Sequence, residues 1–169
     1  MSINRKQLIL EAATKSFAQF GYKATTMDQV SRLANVGKGT IYTFYKNKEE
    51  LFSEILDGVL LDMKEAAEDA FDSQLPFFEN VHRAIYRILE FGKTHKLTIK
   101  IFQESNEMGT PMVKEGVQKV EAMVLNYIKQ KIIVAIDKKE IQPCDPELTA
   151  FILLKLYVSL IFDWEKSHE

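Results

Sequence analysis

Apolar residues recur at three- and four-residue intervals along almost the whole chain, the spacing of one face of an α-helix, and no stretch holds the alternation of a strand. The pattern predicts an all-α protein. A first helix is expected over residues 4–20, where Ile9, Ala13, Phe17 and Phe20, flanked by Leu8 and Ala12, form one stripe. Gly21 ends it, since glycine tolerates the positive φ of a helix C-cap. Thr26 opens a short second helix with Gln29 three positions on, the spacing of a capping box. Val30, Leu33 and Ala34 are its expected inner face, and Asn35 marks the turn that follows. A third helix takes residues 37–44. A fourth starts after Asn47, with Glu49 and Glu50 in the first turn where the helix dipole favours acids. Leu51, Phe52, Ile55 and Leu56 continue its apolar face as it runs to about residue 71.

Behind these lie a fifth helix over about 75–92 and a sixth over about 95–107. The stretch EMGTP breaks the pattern, with Thr110 as N-cap and Pro111 at the first helical position. Residues 111–137 form a long helix carrying Val113, Val117, Val120, Val124, Ile128 and Ile132. Asp145 and Pro146 repeat the cap-then-proline signal before a last helix expected to reach at least Trp164. There are no internal repeats, low-complexity tracts or long linkers. The natural division is a head, residues 1–56, and a helical body, residues 57–169.

Composition narrows the class. Of 169 residues, 46% are hydrophobic and 27% charged, the balance of an ordinary folded domain. The net charge of −2 conceals an asymmetry: residues 1–56 hold eight basic and five acidic side chains, the remainder 14 and 19. The head is therefore at +3 and the rest at −5, so a polyanion would meet the head. One cysteine, Cys144, excludes an internal disulfide and points to a reducing, cytoplasmic setting. The N-terminal MSINRKQLILEAA is charged and amphipathic, unlike a signal peptide. The most apolar stretch, from Leu148 to Trp164, is interrupted by Lys155 and Asp163 and falls short of the roughly 20 residues that span a bilayer. It reads as a buried or interfacial helix, and no membrane partner is expected.

Two short helices joined by a tight turn, with a third packed across them, make a tri-helical DNA-binding head. Its third helix must bury one face and offer small or polar groups on the other. Val36, Ile41 and Phe44 or Tyr45 can supply the buried side; Gly37, Lys38, Gly39, Thr40 and Thr43 lie on the open side. Glycines at 37 and 39 weaken the helix. A close approach to DNA would account for them, because the free N–H groups of a helix N-terminus favour phosphate. Lys38 is long enough to reach a base edge or a phosphate. Tyr42 and Lys48 are placed to clamp the backbone and fix register. The GKGT run lacks the spacing of a phosphate-binding nucleotide loop and follows no strand.

The run TTMDQVSRLANVGKGTIYTFYKNKEELF, with the FxxxGYxxTT entry before it, resembles the N-terminal domain of the TetR/AcrR family of transcriptional regulators across residues 5–56. The resemblance implies an all-helical homodimer that binds a palindromic operator on double-stranded DNA. An inducer in the body would spread the heads and release the DNA. By motif position, Thr26 would touch phosphate, Lys38, Gly39 and Thr43 would face bases, and Tyr42 and Lys48 would contact phosphates. Two departures stand out: Asn35 where the family often has Gly, and Gly37 where it often has Ser, which removes a side-chain cap.

For the inducer, Phe71, Phe78, Tyr86, Phe102, Met108, Met112, Met123 and Tyr127 are the candidate pocket residues, with Phe77 and Phe91 also able to line a cavity; an ordinary filled core is the alternative. Phe151, Leu154, Val158 and Ile161 form a stripe on the last helix, widened by Ile152, Leu156, Leu160 and Trp164, which is more apolar area than a monomer's surface helix needs. A subunit interface is expected there. The helical pattern still runs at Glu169, and the resembled family supplies a further helix, which leaves room for a longer native chain. His82, His95 and Cys144 are too scattered for a metal set, Glu104 and Glu107 look like a solvated i,i+3 pair, and no cofactor or catalytic constellation has meaningful spacing. Enzyme function is excluded. A protein-binding helical adaptor, and a DNA-binding regulator that activates or takes no inducer, stay open as alternatives.

Overall fold

The computed structural model describes residues 4–107 and 109–160, which form eight α-helices. These are α1 (Arg5–Phe20), α2 (Met27–Leu33), α3 (Lys38–Phe44), α4 (Lys48–Asp69), α5 (Phe77–Thr94), α6 (Lys96–Glu107), α7 (Pro111–Asp137) and α8 (Pro146–Val158). The local signals act where the sequence puts them. Asn4 Oδ1 accepts the Gln7 N–H, and the Gly21 N–H closes α1 on the Phe17 carbonyl with φ at +86°. The Thr26 hydroxyl caps α2 through the Gln29 N–H at 3.2 Å, and Asn35 takes φ +52° in the turn. Asn47 Oδ1 accepts the Glu50 N–H, while the Glu50 carboxylate reaches back to the Lys46 N–H. Asp145 Oδ1 caps α8 through two N–H groups. The reach of the last helix to Trp164 lies outside the described residues.

The chain gathers into two compact units. The first joins the segment up to Val59 with Thr94–Gln118, so α6 and the start of α7 belong with the N-terminal helices. Its core holds Ile9, Ala13 and Phe17 of α1, Val30 of α2, Ile41 of α3, Leu51 and Phe52 of α4, Leu97 and Ile101 of α6, and Val113. Phe17, Tyr22 and Phe52 form an aromatic triangle with ring centroids 4.9–5.8 Å apart. Helix α7 approaches α4 closely at Gly116, where an added Cβ would lie 3.1 Å from Leu56.

Several residues of the expected inner faces point outward. Leu8, Phe20, Leu33 and Phe44 are exposed. Phe20 stands at the last position of α1 and lines an open hollow with Lys23, Ala24 and Lys100 instead of entering the core. At the end of α3 the buried aromatic is Tyr45, not Phe44.

The second unit spans Leu60–Lys93 and the chain from Lys119 onward. Val81, Ala84, Ile85, Ile88 and Leu89 of α5 and Val120, Val124, Ile128 and Ile132 of α7 are buried, Val81, Ala84, Ile85 and Ile128 around one small cavity, and Ala150 and Leu154 of α8 are buried too. Buried Asn80 organises the turn before α5: it donates to the Asp72 and Leu75 carbonyls and accepts the Asp72 N–H.

Candidate nucleic-acid interface

Helix α3 begins without a side-chain cap at Gly37, so its first N–H groups are open to an outside acceptor. A Cβ added at Gly39 would meet no atom within 4 Å. Nothing inside the protein therefore requires glycine there. Lys38 is exposed, and its ammonium is held by Asp28 of α2 at 2.9 Å. The Asp28 hydrogen bond, ahead of its charge, raises the Lys38 pKa. Thr40 is half-buried, while Thr43 is exposed and donates its hydroxyl back to the Thr40 carbonyl at 2.7 Å. Tyr42 is 45% exposed.

Thr26, Tyr42 and Lys48 come together with Thr25, Met27 and Asp28 around an open hollow of about 380 Å³. Gly37, Lys38, Gly39, Thr40 and Thr43 lie outside that lining, although Lys38 is tied to it through Asp28. Lys48 is more engaged than a purely external clamp. Its ammonium donates to the Tyr22 and Thr25 carbonyls at 2.8 and 3.0 Å and sits 4.2 Å from the centre of the Tyr22 ring. Burial holds its pKa below the usual lysine range. One side chain thus anchors the α1–α2 corner while lining the hollow.

The body candidates are spread over both units. Phe71 and Tyr127 line a common cavity of about 10 Å³ with Val81, Ala84, Ile85 and Lys131. The Lys131 ammonium lies over both rings, 4.4 Å from Phe71 and 5.1 Å from Tyr127, and pairs with Glu68 at 2.9 Å. Phe78 and Tyr86 are exposed on α5, and Met123 is half-buried on α7. Phe102 and Met112 belong to the first unit; Met108 lies outside the described residues.

On α8 the expected stripe is divided between core and surface. Leu154 is only 4% exposed and turns into the second unit's core, and Val158 is half-buried. The open apolar face runs through Leu148, Phe151, Ile152 and Leu156, with exposed Leu160 just past the α-helix; Ile161 and Trp164 lie outside the described residues.

Two residues escaped the sequence reading. Asp28 carries no local signal beyond its place in the first turn of α2. Glu104, whose i,i+3 spacing with Glu107 is that of a solvated pair, is 5% exposed and reaches the α1–α2 corner. Among the described residues no three His, Cys, Asp or Glu side chains stand together to hold a metal, and no helix is long and apolar enough to cross a membrane.

A capped short helix, a tight turn and an exposed, uncapped third helix, set at the front of an all-helical chain, define a helix-turn-helix DNA-binding regulator. Residues 9–55 match the family model for bacterial regulatory proteins of the tetR family. The chain is 67% identical over 168 residues to the uncharacterized HTH-type transcriptional regulator YhgD of Bacillus subtilis (strain 168), covering 99% of this chain and 88% of that protein. The chain belongs to the tetR family. A TetR-like transcriptional regulator from Rhodococcus sp. RHA1 superposes with a TM-score of 0.62 at 25% identity, covering 89% of this chain and 78% of that one. The fatty acid degradation regulator FadR of Bacillus halodurans shares the fold, with a TM-score of 0.71 at 16% identity over 99% of this chain and 87% of that one.

Proposed function

We propose that this regulator is a repressor that binds a palindromic operator as a homodimer and is released by a small apolar ligand taken up in its body. The observation that carries the DNA-binding part is Gly39: packing leaves room for a side chain, yet the helix N-terminus stays bare beside Lys38, as a backbone pressed against DNA requires. In this reading the start of α3 (Gly37, Lys38, Gly39, Thr40 and Thr43) enters the major groove. Thr26, Tyr42 and Lys48 grip phosphates around the hollow. Homodimerisation is supported by the open apolar face of α8, which a monomer would leave in water.

The test is selection from a random duplex library by the purified protein, repeated with Lys38→Ala and Tyr42→Ala. The expected outcome is an enriched palindrome whose binding both changes weaken. Lys38→Ala should also relax preference at one base pair, worth about 1–3 kcal/mol if it reads a base edge. Failure of the folded protein to enrich any sequence at low salt would favour a protein-binding adaptor. The space beside Phe71 and Tyr127 is about 10 Å³, far below the roughly 300 Å³ of a ligand site. Uptake there would have to displace Lys131 from the two rings.

A further inference from the structure

We infer that Glu104 is a positioning residue for operator recognition: its buried carboxylate, carried by α6, locks the α1–α2 corner on which the DNA-facing groups are mounted. The inference rests on the reading of the chain as an operator-binding protein and adds to it a residue outside the helix-turn-helix.

The geometry is that of a latch. Glu104 Oε2 accepts the Tyr22 N–H at 2.6 Å, and Oε1 accepts the Lys23 N–H at 3.0 Å and the Thr110 hydroxyl at 3.0 Å. Burying a carboxylate is unfavourable unless hydrogen bonds compensate it, and here three donors from two separate segments converge on one group. The corner is shaped to admit it. Gly21 takes φ +86°, and a Cβ there would lie 2.5 Å from Oε2, so the seat requires a residue without a side chain.

The opposite side of the same corner is held just as firmly. The Tyr22 and Thr25 carbonyls accept the Lys48 ammonium, and the Thr25 hydroxyl donates to the Gly21 carbonyl. Thus α6 holds the N–H groups of the corner while α4 holds its carbonyls. Thr25 and Lys48 line the hollow next to Thr26 and Tyr42, so a corner that shifts carries the phosphate-gripping groups with it. Preorganised groups bind without the loss of affinity that ordering them on contact would bring. Glu104 touches no DNA in this account; it acts through the corner.

The experiment measures operator affinity, its salt dependence and backbone amide exchange on the full chain, for wild type, Glu104→Gln, Gly21→Ala and Thr110→Val. Glu107→Gln, an exposed acid on the same helix, is the control. Glutamine keeps the shape but turns an NH₂ toward one of the donors. Glu104→Gln should lower affinity about tenfold or more, the scale of losing a charge-assisted hydrogen bond at a buried site. The slope of log affinity against log salt should stay unchanged, because the phosphate contacts themselves survive. Exchange should quicken at Tyr22 and Lys23 while the α1 and α4 core stays protected, which a general loss of stability would not give. Gly21→Ala should reproduce the effect, and combining it with Glu104→Gln should add little.

If Glu104→Gln does not fold, Thr110→Val decides: it removes one donor only and should give a smaller loss in the same direction. Operator affinity within twofold of wild type in a folded Glu104→Gln protein, or in Thr110→Val where that is the variant that folds, overturns the proposal. So does a loss matched by Glu107→Gln. Wild-type protein that binds no operator removes the underlying reading as well, an outcome distinct from both.

Discussion

Tyr22 has every polar atom engaged: its N–H by Glu104, its carbonyl by Lys48 and its hydroxyl by the Glu49 carboxylate at 2.8 Å. Burial, and then the Glu49 hydrogen bond, pushes the Tyr22 hydroxyl pKa up, while that same hydrogen bond holds the Glu49 carboxyl below the usual carboxylate range. A carboxyl whose folded pKa is depressed stabilises the fold at pH above its ordinary value. That stability is lost as pH falls through the ordinary value toward the depressed one. Tyr22→Phe removes the hydroxyl and keeps the ring against Phe17 and Phe52. The variant should lose about 1 kcal/mol at neutral pH, and the gap from wild type should close as the solution is acidified through the carboxylate range. Denaturant unfolding of both proteins from about pH 7 to about pH 3 checks this. A gap that stays constant would mean the stabilisation does not run through Glu49. The Glu49 hydrogen bond could not be read from the sequence, because 27 positions separate the partners and each residue has a satisfactory local explanation of its own.

Helix α3 is weak by composition: seven residues, no side-chain cap and a glycine in its first turn. Such a helix is held by its neighbours, chiefly through fully buried Ile41 and through Tyr45 just beyond its end. Because an alanine methyl at position 39 has open space, Gly39→Ala should raise unfolding stability by up to about 1 kcal/mol. The same methyl should lower operator affinity if the backbone there lies against DNA. Denaturation and DNA titration of one preparation measure both. A stabilised variant with undiminished affinity would remove the argument from close approach. This element was legible beforehand in outline and in its exposed residues, because turn chemistry and glycine spacing are local. Its buried aromatic was not, since Phe44 and Tyr45 are adjacent and a helix ending between them can turn either one inward.

For the whole molecule, the proposed reading of a palindrome by two heads needs two chains, and the proposal seats the second copy on the open face of α8. Phe151→Glu combined with Leu156→Glu places two charges on that face while leaving Ala150 and Leu154 in the core. The double variant should stay folded and sediment as a monomer. It should bind a single half-site at low salt and lose most of its affinity for the full palindrome. A variant that sediments like wild type would move the interface elsewhere. Sequence periodicity marked this helix as unusually apolar but could not say which of its sides enters the chain's own core. A helix apolar on nearly every side gives no phase, so only packing decides that Leu154 goes inward and Phe151 outward.

The sequence alone determined what depends on near neighbours. Helix starts and stops at Gly21, Thr26, Asn35 and Asp145 follow from backbone sterics and capping, and the residues offered by α3 follow from its short, glycine-bearing pattern. Tertiary structure decided what depends on distant partners. An acid at position 104 has the same local signature whether water or a backbone corner receives it. Lys48 likewise could have been a free cation, and only the fold brings the Tyr22 and Thr25 carbonyls to it. Polar groups acquire their roles from whatever desolvates and partners them, and in this chain the corner groups that Glu104 and Lys48 hold, on Tyr22, Lys23 and Thr25, lie more than 20 residues away along the sequence.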